Sequence, residues 1–314
     1  MDKRVCRNFF AIRKSISDQL DNNGNYKLII ENNLKGYCSG NRCVNELEKI
    51  NAGCLYLLDA FFKDASAFNY HNNINIVEYI IIWLSYMLNL KKQVENKTHL
   101  QYFYETYINN NEYKRSIKGV TEYNSYKNLI DKKIDLINMD MKIISKFYDA
   151  FSTLCNMYVE INEDNPNCEH YLNKANEFVG KYKKLMEDSN ITKNSSCRQI
   201  LVNLSNDYDN FKKKCNDIKC SNSSSFPTIE KTANFVETIE QYSGQTGQIY
   251  THISEDASSS SSITSKLFIV LSIFGAIAFF LGISYKYSLF GFRKRVQKQK
   301  LREKIKNIKK RINH

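Results

Sequence analysis

The sequence predicts an all-α protein: a helical-bundle ectodomain over residues 1–220, a Ser-rich stalk over 221–262, one transmembrane helix over 263–289 and a basic helical tail over 290–314. Three observations predict it. Breakers are scarce, with two prolines (Pro166, Pro227) and eleven glycines, which favours long helices over short strands joined by turns. Through the first 220 residues apolar side chains recur at spacings of three and four. Finally, nineteen residues without a charge, Leu267–Tyr285, follow a serine-rich stretch and precede a run of lysine and arginine.

Each element has its own pattern. A short helix is predicted over Arg4–Leu20. Val44–Phe62 sets Leu47, Ile50, Cys54, Leu57, Leu58 and Phe61 on one helical face. In Ile74–Leu90 the polar residues Asn75, Glu78, Ser85 and Asn89 fall within about 80° of one another at 100° per residue, so a helix leaves one narrow wet stripe. Its apolar positions Ile80, Ile81, Trp83, Leu84, Met87 and Leu88 then form the central helix of the core. A strand remains the alternative here, because Ile-Ile-Ile-Trp is rich in β-formers. A membrane span is excluded, since Glu78 and Lys91 bracket twelve residues where about 20 are needed.

Further helices are predicted at Leu100–Asn109, Glu122–Ile137 and Cys197–Lys214. Met141–Tyr158 carries Ile143, Ile144, Phe147, Phe151, Leu154 and Tyr158 at helical spacing. Asn165-Pro166 reads as an N-cap and first helical position for a helix toward Met186. No alternating strand series and no internal repeat is visible. Beyond Ser221, serine frequency, Gly244 and Gly247 mark the stalk, with room for a short helix near Ile229–Tyr242.

The net charge of +12 belongs to the C-terminal end. From Ile263 onward there are 13 Lys and Arg against the single acid Glu303, and the first 262 residues are neutral. The body therefore gives no reason to expect a nucleic-acid partner. The charge asymmetry places the tail in the cytosol and the large domain across the membrane. Around the apolar stripe Val296, Leu301, Ile305, Ile308 and Ile312 stand Arg293, Lys294, Arg295, Lys298 and Lys300. Such a helix fits an anionic lipid leaflet, each nearby cation adding about 1 kcal/mol, or serves as a plain stop-transfer anchor. No cleavable signal peptide is expected, because the longest uncharged run near the start is Asn8–Ile12.

Nine cysteines all lie in the first 220 residues. That suits an oxidising compartment, and the odd number leaves at least one thiol free or paired between chains. Cys38, Cys43, Cys54, Cys155, Cys168, Cys197, Cys215 and Cys220 are the candidates for at least two structural bridges. The C-x4-C pairs Cys38/Cys43 and Cys215/Cys220 are formally able to build a four-thiolate zinc site, at the edge of the usual spacing. Cys168 and His170 are formally a nucleophile pair, but a helix start or a disulfide is the simpler reading. No phosphate loop, HExxH, GxSxG or dinucleotide fingerprint is present, and no cofactor or catalytic activity is expected. Five N-x-S/T sequons, at Asn96, Asn190, Asn194, Asn203 and Asn222, come cheaply in so Asn-rich a chain.

Four stretches carry a family resemblance: VCRNFFAIRKSI, KGYCSGNRCVNELEKINAGCLYLLDAFF, NINIVEYIIIWLSYMLNL, and the final span with its basic tail. Together they resemble the PIR proteins, the Plasmodium interspersed repeat variant antigens, and in particular the CIR/YIR/BIR branch. The resemblance implies an α-helical ectodomain, membership of a large multigene set, export toward the infected red cell and a part in immune evasion. It implies no enzymatic role. It places Cys38, Cys43 and Cys54 in the family's cysteine-bearing region, where disulfides are plausible. A host protein or an antibody is the expected partner class. The export signal R-x-L-x-[E/D/Q] is absent, which leaves the trafficking route open; the alternative function is a structural or trafficking membrane protein of the parasite vacuole or export structures. For an antigen, the loops at Asn22–Asn25, Asn109–Glu112 and Asp188–Ser196 are the expected variable surfaces on a constant helical frame.

Overall fold

The computed structural model describes residues 1–29, 31–71, 73–91, 98–218, 220 and 226–229. Helix α1 (Lys3–Ser15) starts where the Asp2 carboxylate accepts from the Arg4 and Val5 amides. It does not reach Leu20 as its pattern predicts. Ile16–Leu20 is strand β1, paired antiparallel with β2 (Tyr26–Leu28). The turn between them decides this. Asp21 accepts from the amides of Asn23 (2.9 Å) and Asn25 (2.8 Å), and Gly24 takes φ +76°, so the chain folds back on itself. Strands of five and three residues are too short to show an alternation, which is why no strand series is visible in the sequence.

Helix α2 (Glu46–Phe62) follows its Asn45 cap, and α3 (Ala65–His71) follows it. Helix α4 (Ile76–Asn89) is the predicted central helix, so the strand alternative falls. Helix α5 (His99–Phe103) opens with a Thr98/Gln101 capping box and runs into one π turn, Tyr104–Ile108. The short α6 (Asn111–Lys114) comes next. The single predicted helix 122–137 is two pieces, α7 (Tyr126–Asp131) and α8 (Ile134–Asn138). The predicted 141–158 is α9 (Met141–Ser145) and α10 (Phe147–Glu160). Helix α11 (Cys168–Glu187) begins two residues after Pro166, capped by Asn167. Asn162 holds the Asp164 (3.1 Å) and Asn165 (3.2 Å) amides in a turn, which keeps Pro166 outside the helix. The short α12 (Ser189–Thr192) leads to α13 (Ser195–Asp217), close to its predicted bounds.

Helix α4 packs against α2, α5, α9 and α10, which enclose it. Ile80, Ile81, Trp83, Leu84, Met87 and Leu88 are all buried. The expected wet stripe is dry in its middle, where Glu78 is 2% exposed and Ser85 0%, while Asn75 and Asn89 at its ends are partly exposed. Two of its polar side chains bond to protein groups, and the buried Ser85 hydroxyl has no hydrogen-bond partner among the described residues. Glu78 accepts from Lys133 Nζ (2.6 Å) and Asn203 Nδ2 (2.6 Å), and Asn89 donates to Ser145 Oγ (3.2 Å). Helical periodicity shows which residues share a face, but not whether that face meets solvent.

The helices run so that the domain has two distinct ends. At one, Lys91 lies 3.4 Å from Glu46, so the end of α4 stands beside the start of α2. The hairpin joins them there: Tyr26 Oη donates to the Met87 carbonyl (2.8 Å) and Tyr86 Oη to that of Asp18 (3.0 Å). Tyr86 also stacks on Tyr148 near the start of α10, and Lys146 pairs with Asp188 after α11 at 2.6 Å. At the opposite end, Lys3 Nζ donates to the Ile161 carbonyl, Lys214 pairs with Glu163 at 2.8 Å, and Cys168 bonds Cys220. Past Cys220 the last described residues turn back along α13. Phe226 packs on Phe211, and Tyr208 Oη donates to the Pro227 carbonyl at 2.8 Å.

Among the described residues no helix is long and apolar enough to cross a membrane. The predicted span 267–285, the tail cations Arg293, Lys294, Arg295, Lys298 and Lys300, and nearly all of the stalk lie outside the described residues.

Candidate interaction surface

Three disulfides brace the bundle: Cys6–Cys155, Cys38–Cys43 and Cys168–Cys220. They correct the bridge candidates in two ways. Cys6, absent from them, is bonded, and Cys54, Cys197 and Cys215 are free, buried thiols. Pairing follows the register of α1 on α10 and the path of the chain after α13, neither of which spacing along the chain records. The four thiols of the zinc alternative do not converge, since Cys38 bonds Cys43 while Cys220 bonds Cys168. The nucleophile alternative fails too. Cys168 sulfur is committed to its disulfide, and His170 Nε2 sits 2.7 Å from Glu160 at the surface.

Burial pushes the Cys54, Cys197 and Cys215 thiols up to about 12. They should therefore resist iodoacetamide at pH 8 in the native protein and all react once it is unfolded. Mass spectrometry of the intact chain reads this as a shift from no adduct to three, and labelling of any of the three under native conditions would contradict it.

The three expected variable loops all lie toward the hairpin end. Asn22–Gly24 are exposed on the hairpin turn, Asn109, Asn111 and Glu112 are exposed beyond the π turn, and Asp188–Ser196 connects α11 to α13. Of the sequons in described segments, Asn190 is exposed, Asn194 caps the Cys197 amide, and the Asn203 amide is spent on Glu78.

Between the first two loops stands a feature the sequence pattern missed. Ser39, Gly40, Asn41 and Arg42 form an exposed loop closed by the Cys38–Cys43 bond. Glu48, in the first turn of α2, holds both of its ends by accepting from the Ser39 (2.7 Å) and Val44 (3.0 Å) amides. Gly40 and Asn41 take φ +61° and +60°, a conformation that asparagine tolerates better than most residues. Val44, read from sequence as the start of a helix, precedes the cap and is 81% exposed. Asn45 accepts from the Glu48 amide (2.7 Å) and from Tyr107 Oη (3.3 Å), which ties the clamped loop to the π turn. The pattern Asn45-x-x-Glu48 is a helix-start signature that does announce this anchor.

Asp21, Glu46 and Glu48 are held below their ordinary values. For Asp21 the main cause is the Asn25 amide. For Glu46 and Glu48 burial pushes upward, but Lys49 and the Tyr26 amide outweigh it at Glu46, and the Ser39 and Val44 groups at Glu48. A lowered folded value means stabilisation present above the unfolded value and lost as pH falls through the folded one. Below about pH 4 the amides of Asn25, Tyr26, Ser39 and Val44 should thus lose hydrogen-exchange protection, after correction for intrinsic rates, before α4 does. Loss of α4 first would refute the assignment.

A disulfide-braced helical ectodomain with a clamped, solvent-facing loop is the class of protein this fold defines. The family model of the Plasmodium variant antigen protein Cir/Yir/Bir matches residues 6–286. The chain belongs to that family. Among solved structures, the ectodomain of a Plasmodium PIR protein is similar at 35% identity and a TM-score of 0.55, over 73% of this chain and 98% of that one. No curated protein matches the chain.

Proposed function

We propose that the chain is a single-pass membrane variant antigen that presents its hairpin end to the host. The observation that carries this is the arrangement of the two ends. The loops fit for variation gather at one, and α13, the last described helix before the stalk and the predicted span 267–285, ends at the other beside the Cys168–Cys220 bond. The family match extends to residue 286 and so takes in that span, which supports an anchor. Residues 290–314 then lie in the cytosol, their cations against an anionic leaflet, and the helical domain faces outward in an exported membrane.

In this reading the loops change while the bundle stays constant, a division suited to immune evasion and to binding a host protein or being bound by antibody. Protease accessibility on intact infected cells tests it, with one epitope tag inserted between Asn22 and Asn23 and one after His314. Loss of the loop tag alone is the expected result. Protection of both tags would place the domain in an internal lumen and favour a trafficking role. Loss of the C-terminal tag alone would reverse the orientation.

A further inference from the structure

The Cys38–Val44 loop is built more stiffly than its own packing requires. Ser39, Gly40, Asn41 and Arg42 bury nothing, yet a disulfide, a buried carboxylate and two left-handed residues fix their course. A constraint that stabilises little of the fold is well suited to holding a binding conformation, because an ordered loop gives up less freedom when a partner arrives. The adjoining π turn is a second irregularity, and such turns gather at functional sites. It stacks Phe103 on Tyr107, binds Asn45 through Tyr107 Oη and leaves Tyr102 45% exposed. Val44 and Tyr102 are two of the few large apolar side chains exposed in the described residues.

The exposed charges around the loop are mostly basic, although Glu105 of the π turn and Glu112 just beyond it are exposed too. The side chains of Arg42, Lys35 and Lys27 are exposed and make no hydrogen bond or ion pair among the described residues. Three of the nearby acids are occupied: Glu46 by Lys49 and Lys91, Glu48 by the loop amides, and Glu105 within the protein. We infer that the Cys38–Val44 loop and Tyr102 form a docking surface for a protein partner that offers a carboxylate to Arg42 beside an apolar cleft for Val44. A central apolar side chain and an arginine at the rim of a rigid loop are the composition of a compact protein-binding hot spot, and the apolar part disfavours a purely anionic glycan. This rests on the outward-facing reading above and narrows it to one patch and one partner chemistry.

The test uses the labelled full chain in lipid nanodiscs and, as the probe, intact host red cells and leukocytes. Saturable binding is expected, lost after trypsin shaving of the cells and kept after enzymatic removal of their sialic acid and sulfated glycans. Arg42→Glu and Val44→Asp should each weaken it tenfold or more, while the exposed far-end variant Lys213→Glu leaves it unchanged. The pair Cys38→Ala/Cys43→Ala should weaken it several-fold while the chain still unfolds cooperatively, with its thermal transition lowered by no more than about 8 °C, which separates a loose loop from an unfolded chain. Glycosidase-sensitive binding would identify a glycan ligand, and binding to immobilised copies of the chain alone would mean self-association. Either of these overturns the proposal, as does equal binding by the variants or no binding at all. Failure of the tag experiment would instead overturn the topology, since binding by the purified chain does not depend on which way it faces in a cell.

Discussion

Replacing Cys6 and Cys155 together by alanine should cost more stability than removing either of the other bridges. The bond spans 149 residues and ties α1 to α10 through the centre of the bundle. Loop-closure entropy in the unfolded chain gives about 5 kcal/mol for a ring of that size, about 4 for the 52-residue Cys168–Cys220 ring and about 2 for Cys38–Cys43. Both Cys6 and Cys155 are buried, with Phe9, Trp83 and Phe151 around them, so alanine avoids leaving an unpaired hydroxyl. Urea unfolding of the three double variants under oxidising conditions should rank them in that order. The Cys38–Cys43 pair costing most would show that the clamped loop supports the fold itself, and would remove the reason for assigning it a binding role.

The second large effect lies where α2 meets α4. A Cβ added to Gly53 would sit 2.7 Å from Cη2 of Trp83 and 3.0 Å from the Ile16 side chain. Trp83 is 2% exposed and has no room to retreat. Gly53→Ala should therefore cost about 1–3 kcal/mol, although alanine is the better helix former by about 1 kcal/mol. Trp83→Ala should cost about 3–5 kcal/mol by leaving a cavity in the core. In that background the sign of Gly53→Ala should reverse, because the obstructing ring is gone and the helix preference remains. A double-mutant cycle by chemical denaturation reads the reversal. An equal cost of Gly53→Ala in both backgrounds would mean that the ring is not what requires glycine.

Local patterns carried the helices well and their ends less well. Val44–Phe62 and Cys197–Lys214 became α2 and α13 within about three residues, because each face repeats over many turns. Breaks inside helical patterns did not show. Lys133 leaves helical geometry between α7 and α8, and its ammonium reaches the buried Glu78, an acid 55 positions away. At the interaction surface the three Asn-rich loops were legible from composition, and Asn45-x-x-Glu48 was there to be read. The exposure of Val44 and its link to Tyr107 were not, since they depend on where the π turn comes to rest.

The sequence by itself determined that the ectodomain is helical, that Ile76–Asn89 is its most apolar element, and which side chains share each helical face. These follow from propensity and from the 3.6-residue period, which act over a few neighbouring residues. Only the tertiary structure decided that the middle of the polar stripe, Glu78 and Ser85, is dry, that Ile16–Leu20 is a strand, and which six of nine cysteines are joined. Each of these turns on a partner distant along the chain: Lys133 and Asn203 for Glu78, the returning β2 for β1, and Cys155 for Cys6. A buried charge, a strand edge and a thiol are each stabilised by whatever the fold brings within a few ångströms, and the order of residues does not state that distance.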